Sequence, residues 1–85
     1  MSRNQIKQLV IKVISEQLNV KESDIKETSH IVNDLDVDSL DQIELIMALE
    51  ETFDLKISDE EASKLLTVQS IIAWILFKKA KKTRH

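Results

Sequence analysis

Apolar residues recur at helical spacing near the start of the chain. They fall on one side of a helical period, while Arg3, Lys7, Lys12 and Glu16 fall on the other. This pattern predicts a first helix from Ser2 to about Leu18, with its apolar stripe formed by Ile6, Leu9, Val10, Val13, Ile14 and Leu18. Asn19 follows directly, and asparagine tolerates the left-handed geometry that often ends a helix.

A second helical stretch, from Ser39 or Leu40 to Thr52, carries two apolar faces. The first face, typical of core packing, consists of Leu45, Ile46, Leu49 and Phe53. The opposite face consists of Leu40, Ile43 and Met47, with Glu44, Glu50 and Glu51 along its edges. Because one apolar face is enough to attach a surface helix, we expect the second face to contact partner proteins.

The remaining stretches predict shorter elements and connections. Residues 20–33 form a polar loop, which we expect Ile25, Ile31 and Val32 to anchor to the core. After a connector at 53–57, Ser58 and Glu61 form an S-x-x-E capping box, which predicts a short third helix to about Leu65. The apolar run after Thr67 suits a buried helix or strand, and we favour a helix because no partner strand is evident.

Together these elements predict one all-α domain spanning residues 1–85. The expected architecture is a small four-helix bundle of three longer helices and one short third helix, with a long loop between helices one and two. The chain has no glycine or proline, which argues against a hairpin-rich β fold. It also has no cysteine, which excludes disulfides, thiolate metal sites and thiol catalysis by the chain itself.

The charge is distributed unevenly. Residues 34–61 hold eleven acids and one base, a local net charge of −10, and the rest of the chain nets +7. Such a segment repels nucleic acid and anionic membranes and attracts basic protein surfaces. Repulsion among its carboxylates should raise their pKa values. The basic tail, about 78–85, contains Lys78, Lys79, Lys81, Lys82 and Arg84 and is interpreted as a solvated helix end.

No apolar run reaches transmembrane length, and the first residues lack the apolar core of a signal peptide. We therefore expect a cytoplasmic protein with no stable membrane insertion and no nucleic-acid partner. A monomer is the expected oligomeric state.

Catalysis and metal binding by the chain itself are poorly supported. His30 lies in a polar loop and His85 at the terminus, so both are expected to be exposed. Asp34, Asp36 and Asp38 match alternate ligand positions of an EF-hand loop. The match fails because Ser39 stands where that loop needs glycine and Leu45 where it needs glutamate. We predict neither a metal site nor an enzyme.

Ser39 has two interpretations. With Gln42 it forms an S-x-x-Q capping box, so it is expected to cap the second helix. It also stands at the positive end of a helix, beside Asp38 and Leu40 and at the head of the partner-facing surface. A phosphate attached there would be favoured by the helix N-terminus.

The stretch DSLDQIELIMALEETFDLKISDEEASKLLTVQSIIAWI resembles the acyl carrier proteins of dissociated, bacterial-type fatty acid synthesis. The resemblance covers nearly the whole chain and is densest over residues 34–67. It implies that Ser39, in the D-S-L motif, is the attachment site of 4'-phosphopantetheine. A separate phosphopantetheinyl transferase would transfer this arm from coenzyme A, with a divalent metal, and the terminal thiol would carry acyl chains as thioesters.

The resemblance also implies two sets of contact residues. Fatty acid synthesis enzymes with basic patches would dock on the second helix, through Asp38, Leu40, Asp41, Ile43, Glu44, Met47, Glu50 and Glu51. The acyl chain would lie between helices, near Leu49, Ile57, Ala62, Leu65, Ile71 and Trp74. Those six residues are equally well explained as ordinary core. Ile71 occupies a place that is often smaller in the family, so the pocket is expected to be narrower there.

Two positions depart from the family pattern. Asp36 stands where the family usually has glycine, and Ser58 stands where it often has proline. Aspartate tolerates left-handed geometry, so we expect the turn at Asp36 to be kept. Two alternatives stay open: a specialised carrier for another acyl or polyketide pathway, and an unmodified acidic helical interaction module in which Ser39 is only a cap.

Overall fold

A computed structural model of the chain describes residues 2–35 and 37–82. In chain order the helices are α1 (Arg3–Leu18), α2 (Ser39–Phe53), the short α3 (Asp59–Ala62) and α4 (Val68–Lys82). A single 3-10 turn, Glu22–Asp24, interrupts the connection between α1 and α2. The predicted all-α, four-helix fold with a long first loop is confirmed. The expectations for Asp36, Arg84 and His85 lie outside the described residues.

The start of α1 and the ends of α1 and α2 are capped without glycine. Ser2 begins α1 with a capping box, in which its hydroxyl accepts the Gln5 N–H at 3.2 Å and its own N–H donates to Gln5 Oε1 at 2.8 Å. Asn19 ends α1 in the left-handed region, with φ 56°, as predicted, and Asp54 ends α2 in the same way, with φ 53°. Both residues belong to the few non-glycine types that enter this region readily.

The core lies where α1 packs against both α2 and α4. The buried side chains of these helices are Ile6, Val10, Val13 and Ile14 from α1, Leu45, Leu49 and Phe53 from α2, and Val68, Ile71, Ile72 and Ile75 from α4. Burying each such side chain stabilises the fold by about 1.5–3 kcal/mol relative to leaving it exposed. Ile46, which was assigned to the same face of α2, is only half-buried.

The long loop between α1 and α2 is bonded to the start of α4. The first N–H groups of a helix have no partner within it, and here the Val68 N–H donates to the Ser29 carbonyl at 3.1 Å and the Gln69 N–H to the Glu27 carbonyl at 2.9 Å. The Ile31 N–H donates to the Leu66 carbonyl at 2.8 Å. The loop therefore supplies part of the N-terminal cap of α4.

Two of the three predicted loop anchors are correct. Ile25 and Ile31 are buried, but Val32 is 39% exposed. Residues 31–35 form tight turns, in which neighbouring side chains point in different directions, so Ile31 and Val32 do not both reach the core. Val37, which the pattern did not single out, is buried instead.

Ser58 caps α3 as predicted, with Glu61 as its partner, but the helix is shorter than expected. The Glu61 N–H donates to the Ser58 hydroxyl at 3.1 Å. The helix ends at Ala62, and the Lys64 and Leu65 N–H groups bond three residues back, to the Glu61 and Ala62 carbonyls. Such tighter bonds are usual in a last turn. Leu65 is nevertheless buried.

An ion-pair cluster attaches the loop to the first turn of α1. Arg3 donates to Glu27 Oε1 at 2.6 Å, and Lys7 Nζ lies 3.1 Å from Glu27 Oε2. The hydrogen bonds from Arg3 and then Lys7 lower the pKa of Glu27 from 4.5 to about 2. Because Glu27 also accepts the Gln69 N–H through its carbonyl, this residue connects α1, the loop and α4.

We predict that Glu27→Gln lowers the melting temperature at neutral pH. The lowered pKa means that the ionised carboxylate stabilises the fold above about pH 4.5, and that this contribution is lost as the pH falls toward 2. Thermal unfolding across this range should therefore show the difference between variant and wild type shrinking with acid. Glu22→Gln, at a nearby exposed acid, is the matched control. A difference that stays constant with pH would contradict the prediction.

Candidate functional site

Asp38 forms the cap at the start of α2. Its backbone is extended, with φ −86° and ψ 178°, and its carboxylate Oδ1 accepts the Asp41 N–H at 2.8 Å. Ser39 is already the first helical residue. The prediction that Ser39 and Gln42 form the capping box is therefore wrong. A cap must have non-helical backbone geometry, and a carboxylate there also interacts favourably with the helix dipole.

The Ser39 hydroxyl is consequently left available. Ser39 is exposed, and no hydrogen bond involves its hydroxyl among residues 2–35 and 37–82. The Ser39 and Leu40 N–H groups lie in the first turn of α2, where no intrahelical acceptor exists. A nucleophilic oxygen thus stands in solvent at the positive end of a fifteen-residue helix.

A cleft of about 340 Å³ opens beside Ser39, between α2 and α3. From α2 it is lined by Ser39, Gln42, Ile43, Ile46, Met47 and Glu50, and from the opposite side by Ile57, Asp59, Ala62 and Ser63. Its lining is mainly apolar, with polar groups around it. The cleft could therefore hold an apolar group attached near Ser39 while a polar linker stays in solvent.

Glu50 holds the two sides of the cleft together. Its Oε2 accepts the Ile57 N–H at 2.7 Å, which joins the third turn of α2 to the connector before α3. Ile57 itself is buried, so the bond satisfies a backbone donor that has little access to water. Glu50 therefore lines the cleft and also fixes the connector that forms its edge at Ile57.

Residues 8–75 match the family of domains described as PP-binding, the phosphopantetheine attachment site. The matched range includes α2, α3 and all residues that line the cleft. The chain belongs to this family.

Its cofactor is 4'-phosphopantetheine, bound covalently. The chain is accordingly a carrier domain for acyl groups, and it is not an enzyme. An exposed hydroxyl that has no partner among the described residues, next to an apolar cleft, suits a cofactor that is attached by a phosphodiester and bears an acyl group at its far end.

The outer face of the carrier domain's α2 is exposed as predicted. Leu40, Ile43 and Met47 are 63%, 58% and 60% exposed, which is unusual for large apolar side chains. Around them Asp38, Glu44 and Glu51 are exposed, and Asp41 and Glu50 are half-buried. We call these eight residues the outer face of α2.

The six predicted pocket residues lie in three different places. Ile57 and Ala62 line the cleft. Leu49, Leu65 and Ile71 are buried in the core, where Ile71 is 1% exposed. Trp74 is half-buried on α4, and its indole N–H donates to Glu61 Oε2 at 2.9 Å. The sequence did not indicate that Ile46 and Ser63 line the cleft. For Ile46 a usable signal was present, because half of its neighbours on the helical wheel are polar.

Glu61 departs from the expectation for the acidic segment. Its pKa is lowered, first by the hydrogen bond from Trp74 and further by the charge of Lys78 and the bonds from Ser58. Repulsion among carboxylates predicted a shift in the other direction. Donors in direct contact outweigh more distant like charges, which water and salt screen.

The remaining candidates for chemistry are structural. His30, which was expected to be exposed, is half-buried and organises a turn. Its ring Nδ1 accepts the Asn33 N–H at 3.2 Å, and its backbone N–H donates to Asp34 Oδ2 at 2.7 Å. Within the described part of the chain, no group of three or more histidine or acidic side chains could hold a metal ion. None of the described helices is long and apolar enough to cross a membrane.

We predict that Asp38 and Ser39 contribute unequally to stability. Asp38→Ala should lower the free energy of unfolding by about 1 kcal/mol, the usual effect of removing an N-cap. Ser39→Ala should change it by less than about 0.5 kcal/mol, as is usual for an exposed side chain with no partner. Urea denaturation of both variants is the measurement. An equal or greater loss for Ser39→Ala would show that the serine is the cap after all.

Proposed function

We propose that the chain is an acyl carrier protein of bacterial-type, dissociated fatty acid synthesis, with Ser39 as the attachment site of its 4'-phosphopantetheine arm. One observation carries this proposal: the serine of the D-S-L motif is exposed and borders the cleft, because Asp38 and not Ser39 caps α2. The family match supports a phosphopantetheine carrier, and the sequence resemblance supports the fatty acid pathway.

The attachment step needs only the serine hydroxyl from this chain. A separate transferase, with a divalent metal, would promote attack of Ser39 Oγ on the phosphorus of coenzyme A that bears the pantetheine. The new Oγ–P bond replaces the bond to the nucleotide half of coenzyme A, which leaves, and the hydroxyl proton passes to a base. Ser39 stands at the positive end of α2, which favours the phosphodiester charge.

The arm supplies the thiol that this chain lacks. The sequence contains no cysteine, so a thioester can form on this protein only through an added group. Acyl intermediates would be held on the terminal sulfur of the arm. The cleft offers the acyl chain a partly shielded site. Its apolar lining consists of Ile43, Ile46, Met47, Ile57 and Ala62.

The outer face of α2 would be the docking surface for partner enzymes. It presents three exposed apolar side chains within an acidic frame, and it adjoins Ser39. A transferase or synthesis enzyme with a basic patch would meet opposite charge around an apolar contact. Long-range attraction speeds association, and a small apolar contact allows rapid release. A carrier that visits several enzymes in turn needs both properties.

We also propose that the protein is cytoplasmic and monomeric. A specialised carrier of another acyl or polyketide pathway would use the same attachment chemistry and differ in its partners. The family match argues against the other alternative, an acidic interaction module without modification.

We predict that the protein gains the mass of one phosphopantetheine when it is incubated with coenzyme A, magnesium and a phosphopantetheinyl transferase. Ser39→Ala should abolish the gain. Ser63→Ala, which removes another hydroxyl at the edge of the cleft, should preserve it. Mass spectrometry of the intact protein reads the outcome. No added mass on the wild type, or undiminished loading of Ser39→Ala, would overturn the proposed function or its site.

We also predict that Glu44→Gln slows loading by the transferase by about threefold at low ionic strength, since one charge near a partner's basic group contributes about 1 kcal/mol at most in water. The difference should fade at high salt. Glu16→Gln, on the exposed side of α1, is the control for a change in net charge alone. Equal slowing by both variants would show that the outer face of α2 is not the contact surface.

A further inference from the structure

The wall of the cleft formed by α3 has little support of its own. The helix contains four residues, Asp59–Ala62, and none of them is buried. Its buried neighbours are Ile57 on one side and Leu65 on the other. So short a helix is not stable through its backbone bonds alone. The position of α3 therefore depends on those two flanking anchors and on side-chain bonds to other helices.

One such set of bonds connects α3 to α4. The Trp74 indole N–H donates to Glu61 Oε2 at 2.9 Å, and Lys78 Nζ lies 3.4 Å from the same oxygen. Lys78 Nζ also lies 5.4 Å from the centroid of the Trp74 ring, within cation–π range. Ser58 Oγ donates to the other carboxylate oxygen, Oε1, at 3.2 Å. We call Glu61, Trp74 and Lys78 the Glu61 cluster.

The Glu61 cluster lies behind α3 as seen from the cleft. Asp59, Ala62 and Ser63 line the cleft, whereas Glu61 and Trp74 line a separate surface depression with Lys64 and Lys78. The cluster thus holds α3 toward α4 without occupying the cleft. On the α2 side, the corresponding bond is the one from the Ile57 N–H to Glu50. These two bonds hold α3 from opposite sides.

We propose that Glu61 and Trp74 are positioning residues that set the place of α3 and thereby the width of the cleft beside Ser39. This inference rests on the proposed function, because it takes the acyl chain on the Ser39 arm to be what enters the cleft. When α3 is held in place, the cleft already has the shape that binds an acyl chain, so less entropy is lost on binding. An acyl chain long enough to reach α3 is therefore shielded better from solvent. An acetyl group, which is too short to fill the cleft, gains little from the wall.

The test compares two thioesters on the full-length protein loaded through its arm. Acetyl and octanoyl forms are treated with hydroxylamine, and thioester cleavage is followed by mass spectrometry of the intact protein. The ratio of the acetyl to the octanoyl cleavage rate measures how far the cleft shields the longer chain. A general loss of stability would affect both thioesters alike, because both forms share the same fold. It therefore does not account for a change in this ratio.

Trp74→Phe removes the N–H donor to Glu61 and keeps an aromatic ring near Lys78. We expect it to lower the acetyl-to-octanoyl ratio by about threefold to tenfold, the range that corresponds to the net contribution of a typical hydrogen bond. Glu61→Gln keeps an acceptor oxygen for the indole N–H, so its effect should be smaller. Glu60→Gln alters the neighbouring exposed acid of the same helix and should leave the ratio unchanged.

The possible results separate the two proposals. Normal loading of Ser39 with an unchanged ratio in Trp74→Phe would overturn the positioning role and leave the proposed function intact. The same would follow if Glu60→Gln lowered the ratio as much as Trp74→Phe does. Failure of the wild type to accept the arm would overturn the proposed function and this inference with it. Unfolding temperatures of the loaded variants, measured in parallel, confirm that each remains folded.

Discussion

The bond between the Asp38 carboxylate and the Asp41 N–H decides where α2 begins, and the site depends on that starting point. If the helix began one residue later, Ser39 would be the cap, and its hydroxyl would be engaged with the backbone. With Asp38 as cap, Ser39 is helical and exposed, and it borders the cleft. Its hydroxyl makes no hydrogen bond within the part of the chain that the structure describes. Burial of one helical face against α1 directs Leu45 and Leu49 inward, which leaves Ile43 and Met47 outward.

The two sides of α2 are stabilised in different ways. The inner side is fixed by burial against α1, where Leu45 and Leu49 are each 1% exposed. On the cleft side, α3 buries none of its own residues. Its position depends on its buried neighbours Ile57 and Leu65 and on two polar bonds, from the Ile57 N–H to Glu50 and from the Trp74 indole N–H to Glu61. A close-packed core resists change in shape, while a wall held by a few contacts shifts more readily when one of them is lost. The core therefore presents Ser39, and the position of α3 depends on these few contacts.

Much of the fold follows from the sequence, because helical periodicity and end signals are local properties. The apolar stripe of α1, its end at Asn19, and the N-cap at Ser58 were all predictable in this way. The cap of α2 was not, since Asp38 and Ser39 are adjacent and both are good capping residues. Local pattern cannot choose between them, whereas the tertiary position of the helix does.

The lining of the cleft was harder to predict than its location. Periodicity shows which side of α2 a residue occupies, but it does not show where the short α3 packs, so Leu65 and Ile71 could not be assigned to core or cleft in advance. Contacts between distant residues, such as Glu61 with Trp74 and Glu50 with the Ile57 N–H, leave no local signal. Val37 replaced Val32 in the core for a similar reason, because the turns at 31–35 set side-chain directions that no regular period describes.

The bonds from the long loop to the start of α4 have a consequence for how the chain reaches its native state. Glu27 and Ser29 accept N–H groups of a helix that begins some forty residues later, so these bonds cannot form until the start of the last helix is in place. During synthesis, they must wait for Val68 and Gln69 to emerge. Contacts so far apart in sequence slow folding and make it cooperative. The first and last parts of the domain therefore become ordered together.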